Sequence, residues 1–205
     1  MNKKGGKINR ISRKQQAQMR RHQIIDAALK VFAEKGYDKA TIKNISEAAG
    51  TSQGLMYHYF ANKDELLAAV FERHSFIAPL RKILTINNAK PVREVLYTIA
   101  FDFYNLLASK KELISIVISE MQTNPVFKKK WAVMPAEAVT LISNYLQSNI
   151  SAGNLKQHST EVAARSILYT IVMLFITNDM FSWSKLTAEQ YIKEAIDIFL
   201  DGIAV

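Results

Sequence analysis

The 205-residue sequence contains no cysteine, only four prolines and only seven glycines. Without cysteine, the chain can form neither disulfides nor a thiolate metal site. Few prolines or glycines interrupt the chain, and no segment alternates apolar and polar residues as a half-buried strand would. The sequence therefore predicts an all-α fold, and its hydrophobic content of 49% is enough to bury a substantial core.

Long apolar runs are missing as well. The longest strongly apolar run, residues 171–176, is far shorter than the roughly 20 residues that a membrane-spanning helix needs. The basic N-terminus is not followed by the apolar core of a signal peptide. We therefore expect a cytoplasmic protein that has no membrane partner.

Acidic residues are absent from the first 21 positions, which hold eight lysines and arginines. The rest of the chain has 19 basic and 18 acidic residues, so nearly all of the net charge of +9 lies in this N-terminal segment. A like-charged segment is expected to be disordered alone and to neutralise phosphates beside a polyanion. The alternatives are a solvated tail and a contact with anionic lipid.

Signatures of catalysis are also lacking. Gly5-Gly6-Lys7 has neither the upstream strand nor the spacing of a phosphate-binding loop. The four histidines are scattered, and no pair has the four-residue spacing of a helical zinc site. No nucleophile-elbow pattern is present. We expect no catalytic residue, no metal and no cofactor.

The most informative stretch is residues 41–63, which has the pattern of two short helices joined by a glycine turn. Thr41 is placed to cap the first helix, because its hydroxyl can accept from a free amide of the first turn. Gly50 interrupts the helical spacing, and the second helix is predicted to begin near Ser52.

The second of these helices has two different faces. Met56 and Phe60 lie four residues apart and are predicted to face inward. The opposite face then carries polar and aromatic side chains that suit the major groove of DNA. Those outward residues are Gln53, Gly54, Tyr57 and His58. The alternative is a helical corner with only a structural role.

Residues 20–67 resemble the N-terminal domain of TetR-family regulators. The matching elements are an apolar first helix that ends in Phe32-x-x-x-Gly36-Tyr37, followed by Thr41, Ile45, Ala49, Ser52, Gly54, Tyr57, Tyr59, Phe60 and Lys63. The resemblance implies a helix-turn-helix at about 41–60 that binds double-stranded DNA. The DNA-binding residues we predict are Thr41, Lys43, Ser52, Gln53, Gly54, Tyr57, His58, Tyr59 and Lys63.

The predicted organisation has three parts. They are a basic disordered arm at 1–19, the DNA-binding domain at 20–67 and a helical ligand-binding and dimerisation domain at 68–205. We expect about nine helices: a first from about Arg20 to Lys35, the two of the helix-turn-helix, and others at about 63–83, 91–109, 111–122, 125–152, 160–182 and 187–203. Pro135 is expected to kink or split the long helix at 125–152.

The C-terminal half suggests a second molecule and a ligand. The helix at 160–182 is apolar around most of its circumference, so a mate is expected to cover one side; in the family, the last two helices (about 160–203) form a homodimer. The alternative is a core helix of a monomer. Aromatic and apolar residues of this half are predicted to line a chamber for a small-molecule effector, although ordinary core packing uses the same residues. The residues chosen are Phe101, Tyr104, Met121, Trp131, Tyr145, Tyr169 and Met173.

Together these features predict a homodimeric transcriptional regulator, most simply a repressor that a small apolar or amphipathic ligand releases from a palindromic operator. Two alternatives stay open at this point. One is a DNA-binding architectural or cell-division regulator that responds to no inducer. The other is a helical enzyme or lipid carrier in which the basic arm is incidental.

Overall fold

The computed structural model describes residues 12–87, 90–180 and 185–203, and these ranges form eleven α-helices. The predicted all-α fold is confirmed. The helices are α1 (Arg13–Lys35), α2 (Ile42–Ala48), α3 (Gln53–Tyr59), α4 (Lys63–His74), α5 (Ile77–Ile86), α6 (Val92–Ser109), α7 (Lys111–Thr123), α8 (Pro125–Trp131), α9 (Val133–Ser151), α10 (Thr160–Met180) and α11 (Ala188–Ile203).

Two of the nine predicted helical stretches are divided in the structure. The stretch at 63–83 becomes α4 and α5, and between them the Ser75 hydroxyl accepts from the amide of Ile77 at 3.1 Å. The stretch at 125–152 becomes α8 and α9, which separate at Ala132. The split falls three residues before Pro135, where the sequence placed a kink or break.

Helix α1 begins seven residues earlier than predicted. Ser12 and Gln15 form a capping box, with 3.2 Å from the Gln15 amide to the Ser12 hydroxyl and 2.9 Å from the Ser12 amide to the Gln15 side chain. Residues 13–19, expected to be disordered, are therefore helical. Their three glutamines, with one alanine, one arginine, one lysine and one methionine, are good helix formers, and this propensity outweighs the repulsion of like charges. Residues 1–11 of the predicted arm lie outside the described ranges.

The chain divides into two compact units, the first ending at Arg73 and the second beginning at His74. The first unit contains α1 to α4 around one apolar core. A bidentate ion pair from Arg73 to Asp26 joins α4 to α1, with nitrogen–oxygen distances of 2.9 and 3.1 Å. The fully buried side chains of this core include Ile24, Ile25, Phe32, Ile45, Met56, Phe60 and Leu66.

The second unit has its core between α5, α6, α9, α10 and α11. Polar pairs at the edge of this core join α6 to α11. Arg93 pairs with Asp197 and, at 3.3 Å, with Asp201, while the Tyr97 hydroxyl donates to Glu189 at 3.1 Å. Fully buried members of the core include Leu80, Val95, Leu96, Ile99, Ile142, Leu146, Ala164 and Ile192.

Helix α10 is the only described helix that is long and apolar enough to cross a membrane by composition alone. The apolar window runs over 18 residues, Thr160–Thr177, and 39% of it is buried inside the chain. One such helix is also what the core of a soluble protein produces. One face of α10 packs into the core of the second unit, through Ile167, Leu168 and Ile171 among others.

Candidate nucleic-acid interface

Helix α2 begins after Thr41, the N-cap that the sequence predicts, and Thr41 and Asn44 form a capping box. The amide of Asn44 donates to the Thr41 hydroxyl at 3.1 Å, and the amide of Thr41 donates to the Asn44 side chain at 3.3 Å. The Thr41 oxygen is thus used as an acceptor, which leaves its hydrogen free to donate to a phosphate. Lys43, on the first turn of the same helix, is exposed.

The turn between α2 and α3 depends on one glycine. Gly50 has a φ of +59°, in the left-handed region that residues with a Cβ adopt only with strain. The turn is closed by backbone bonds from Gly50 to Glu47 at 3.1 Å and from Thr51 to Ser46 at 2.9 Å. Ser52 then caps α3, because its hydroxyl accepts from the amide of Leu55 at 3.2 Å. This turn fixes where α3 starts.

Helix α3 has the two faces that its sequence predicts. Met56 and Phe60 are each 1% exposed, so the inward assignment is confirmed. Tyr57 is 55% exposed, and the other predicted outward residues, Gln53, Gly54 and His58, are exposed as well. The structure therefore brings these four residues together on one open face of α3.

One of the predicted DNA-binding residues, Tyr59, lies at the margin of this face. Tyr59 is half-buried and faces α1, where it lines a groove together with Leu55 and the N-terminal turns of α1. Leu55 itself is 37% exposed and was not among the predicted contacts. Its apolar side chain carries no sequence signal for DNA binding, since leucine at this spacing usually belongs to a core.

The Lys63 ammonium group is engaged inside the domain. Its Nζ donates to the backbone oxygens of Tyr37, Asp38 and Ala40 at 2.6, 3.2 and 3.1 Å, and lies 4.3 Å from the centre of the Tyr37 ring. An ammonium group has three donors, so these three carbonyls use all of them. The Tyr37 hydroxyl in turn bonds to Asp64. Lys63 therefore ties α4 to the loop between α1 and α2, and we do not count it among the DNA contacts proposed below.

The predicted ligand-binding residues fall into two groups. Those on α6 and α9 are half-buried against the core of the second unit: Phe101 stacks on Tyr97 at 5.8 Å, and Tyr104 meets Phe175 edge-on at 6.4 Å. Tyr145 belongs to the same group, and burial raises the pKa of its phenol above the usual value. Trp131 is half-buried and stacks on Phe127 at 6.3 Å.

The second group points outward. Tyr169 and Met173 are 52% and 55% exposed on α10, and Met121 is 39% exposed on α7. The sequence of a helix that is apolar on all sides does not reveal which side faces the core. In α10, Tyr169 and Met173 lie on the side that faces away from the core. We therefore remove these three residues from the proposed ligand chamber. Two polar groups that the sequence did not single out are Glu120, which is 5% exposed on α7, and the buried hydroxyl of Ser143 on α9.

Comparison with known proteins agrees with this arrangement. The profile described as bacterial regulatory proteins, tetR family, matches residues 24–70, which contain α2, α3, the C-terminal half of α1 and most of α4. A second profile, described as AefR-like transcriptional repressor, C-terminal domain, matches residues 94–202, more than half of the chain. The chain belongs to the TetR family of bacterial transcriptional regulators.

Several relatives of this TetR-family regulator span most of its length. The HTH-type transcriptional repressor Rv1474c of Mycobacterium tuberculosis is 30% identical over 67% of this chain and 70% of its own. Two solved structures of fatty-acid regulators share the fold. FadR from Bacillus subtilis in complex with stearoyl-CoA has a TM-score of 0.72 at 26% identity, covering 88% of this chain and 98% of its own. FadR from Bacillus halodurans has a TM-score of 0.74 at 28% identity, covering 89% and 95%.

The open side of the last two helices carries several large apolar side chains in this TetR-family chain. Val162, Tyr169 and Met173 recur on α10 at helical spacing and are each more than half exposed. On α11, Tyr191 is 38% exposed and Ile198 is 73% exposed, while the residues between them that face inward are buried. We call this surface the α10–α11 face. Exposed apolar side chains grouped in this way mark a surface that another molecule covers.

Proposed function

We propose that this TetR-family regulator is a homodimeric repressor in the cytoplasm. Each subunit places α3 in the major groove of a palindromic operator, and an amphipathic ligand bound in the second unit releases the dimer from DNA. The observation that carries the DNA-binding part is the open face of α3, held from behind by buried Met56 and Phe60. A short, capped helix with one polar, exposed face fits the dimensions of the major groove.

The proposed contacts follow from side-chain chemistry. Gln53 hydrogen-bonds to base edges, and Tyr57 contacts a thymine methyl group or a phosphate. His58 contacts a base or a phosphate. Thr41, Lys43, Ser52 and Tyr59 contact the sugar–phosphate backbone and fix the register of α3 on the duplex.

Gly54 offers a test that separates DNA binding from folding. It lies within α3, and a Cβ built on it would meet no atom within 4 Å, so the fold itself does not require glycine here. Gly54→Gln is expected to raise the free energy of unfolding by about 0.5 kcal/mol, because glycine is a poor helix former. The DNA for this test is a duplex that the unaltered protein selects from a random-sequence library. Gly54→Gln is expected to bind this duplex at least tenfold more weakly, since the added side chain keeps α3 from the base edges. Thermal unfolding and fluorescence anisotropy measure the two effects.

Ala68→Gln is the matched control, because it adds the same side chain to an exposed position of α4. This control is expected to bind the duplex as tightly as the unaltered chain. Equal affinity of Gly54→Gln and the unaltered chain would contradict the close approach of α3 to DNA.

Dimerisation is supported by the α10–α11 face. A palindrome is read by two recognition helices related by a two-fold axis, and such an axis requires a self-complementary surface on each subunit. The α10–α11 face supplies apolar side chains from two neighbouring helices of one unit, led by Tyr169, Met173 and Ile198.

The ligand we propose is an amphipathic molecule with a long acyl chain, such as a fatty acyl-CoA. Two kinds of evidence support this class. The regulators compared above that cover most of this chain include two fatty-acid regulators, one of them solved with stearoyl-CoA. In this chain, half-buried aromatic residues on α6 and α9 accompany the buried hydroxyl of Ser143, an apolar setting with few polar groups.

Stearoyl-CoA is the probe for this proposal. Added to the complex of the protein with a selected duplex, it is expected to weaken DNA binding by at least tenfold, which corresponds to a coupling free energy of about 1.4 kcal/mol. Coenzyme A without the acyl chain is the control and is expected to leave the affinity unchanged. If neither stearoyl-CoA nor the free fatty acid alters DNA binding, a regulator without an acyl inducer is favoured instead.

A further inference from the structure

The N-terminal turns of α1 carry a stripe of polar and basic residues. Arg13, Gln16, Arg20 and Gln23 recur at intervals of three or four residues, so they share one face of the helix. Arg13 and Arg20 are exposed, and neither has an ion-pair partner in the described part of the chain. The capping box at Ser12 holds this part of α1 in helical form.

This stripe borders a groove shared with the DNA-reading helix. The groove has a volume of about 520 Å³ and is open to solvent. Arg13, Gln16, Ala17 and Arg20 line its α1 side, and Leu55 and Tyr59 line its α3 side. The groove therefore adjoins the exposed face of α3, and its walls combine two guanidinium groups with a few apolar side chains.

We infer that this groove is a binding site for one sugar–phosphate strand of the operator, with Arg13 and Arg20 each contacting a phosphate. The inference rests on the proposed DNA binding by α3 and adds a second set of contacts to it. It assigns a function to the segment that continues α1 towards the N-terminus, a segment that is separate from the helix-turn-helix itself.

The charge of the groove indicates that a polyanion such as a DNA strand binds there. No acidic residue occurs from Ser12 to Ile25 or in α3, so the groove has no group that would repel a polyanion. Arg13 and Arg20 are about 10.5 Å apart along the helix axis, which lets them reach separate phosphates of one strand. The apolar atoms of Ala17 and Leu55 provide a surface for deoxyribose between them.

The salt dependence of DNA binding tests this inference. The probe is a duplex that the unaltered full-length protein selects from a random-sequence library. Arg13→Gln combined with Arg20→Gln removes four proposed phosphate contacts per dimer. The slope of log affinity against log salt should then fall by about 3.6, at roughly 0.9 for each contact, and the affinity at 0.15 M salt should fall at least tenfold.

The matched control removes the same charge elsewhere on α1. Lys30→Gln combined with Lys35→Gln replaces two exposed lysines that do not line the groove and lie outside the basic N-terminal segment. We expect its slope to change by less than 1. Equal effects of the two double variants would overturn the inference, because the stripe would then act only through net charge. Failure of the unaltered protein to select any duplex would refute the proposed function, and this site with it.

A second measurement locates the strand without relying on affinity. The chain has no cysteine, so Ala17→Cys creates a unique thiol inside the groove. Bound duplex is expected to slow the reaction of this thiol with a maleimide at least fivefold. The control is Lys35→Cys, which places a thiol at the exposed C-terminal end of α1, and its reaction rate is expected to stay the same when the duplex binds. An unprotected thiol in Ala17→Cys would overturn the inference. Protection by stearoyl-CoA and not by DNA would overturn it in favour of a small-molecule groove.

Discussion

Replacing Ile198 with glutamate is expected to convert the proposed dimer into monomers. Ile198 is 73% exposed in the single chain, the most exposed of the large apolar side chains on the α10–α11 face. Two-fold symmetry places the substitution on both sides of the contact, and each buried carboxylate would lack a partner. We expect the dimer dissociation constant to rise at least a thousandfold, or about 4 kcal/mol. Sedimentation velocity over a range of protein concentrations measures this change.

Loss of the dimer should also weaken DNA binding. A monomer contacts one half-site, so the gain from linking two sites, typically 10² to 10⁴ in affinity, disappears. Ile86→Glu is a close control, because Ile86 is 67% exposed but lies on α5, outside the α10–α11 face. That variant should remain dimeric. A stable dimer of Ile198→Glu, or a monomeric unaltered protein, would contradict the proposed assembly.

Replacing Lys63 with methionine is expected to destabilise the first unit strongly. Methionine matches the unbranched lysine side chain out to Cε but leaves the carbonyls of Tyr37, Asp38 and Ala40 without their shared donor. Hydrogen bonds to a charged group contribute about 1.5–3 kcal/mol each, and three at one atom are not additive. We expect a loss of about 2–4 kcal/mol, which lowers the unfolding midpoint of a unit of this size by about 10–20 °C.

Far-ultraviolet circular dichroism detects this loss in the full chain. Tryptophan fluorescence reports on the other unit, because Trp131 and Trp183 both fall in the sequence of the second unit. The matched control is Lys43→Met, which removes an exposed lysine from α2. We expect it to weaken DNA binding while leaving the unfolding midpoint unchanged. If Lys63→Met behaved like Lys43→Met, Lys63 would be a phosphate contact, as its sequence position first indicated.

The parts of the fold that the sequence predicted are those that depend on local spacing. Met56 and Phe60 face inward because residues four apart share a helical face, and the same rule exposes Tyr57. Thr41 caps α2 where the sequence placed it, since the hydroxyl needs only an amide three residues away. The start of α1 was also encoded locally. Ser12 and Gln15 have capping-box spacing, but the high charge of the segment led to a prediction of disorder.

The parts that the sequence did not predict depend on residues far apart in the chain. Lys63 reaches carbonyls 23 to 26 positions away, and no spacing rule connects them. Tyr169 and Met173 have the composition of pocket residues, yet only the packing of α10 against its neighbours reveals that they point outward. The groove between α1 and α3 is likewise a tertiary feature, because its two walls are about 40 residues apart.

The polar pairs between α6 and α11 restrict how the second unit can deform. Arg93 holds two carboxylates one turn apart on α11, and Tyr97 holds a third about two turns nearer its N-terminus, at Glu189. Sliding one helix along the other by a single turn, about 5.4 Å, would mismatch every one of these pairs together with the apolar contacts beneath them. These pairs therefore favour a single register of α11 on α6, and we expect the two helices to move together when a ligand displaces α6.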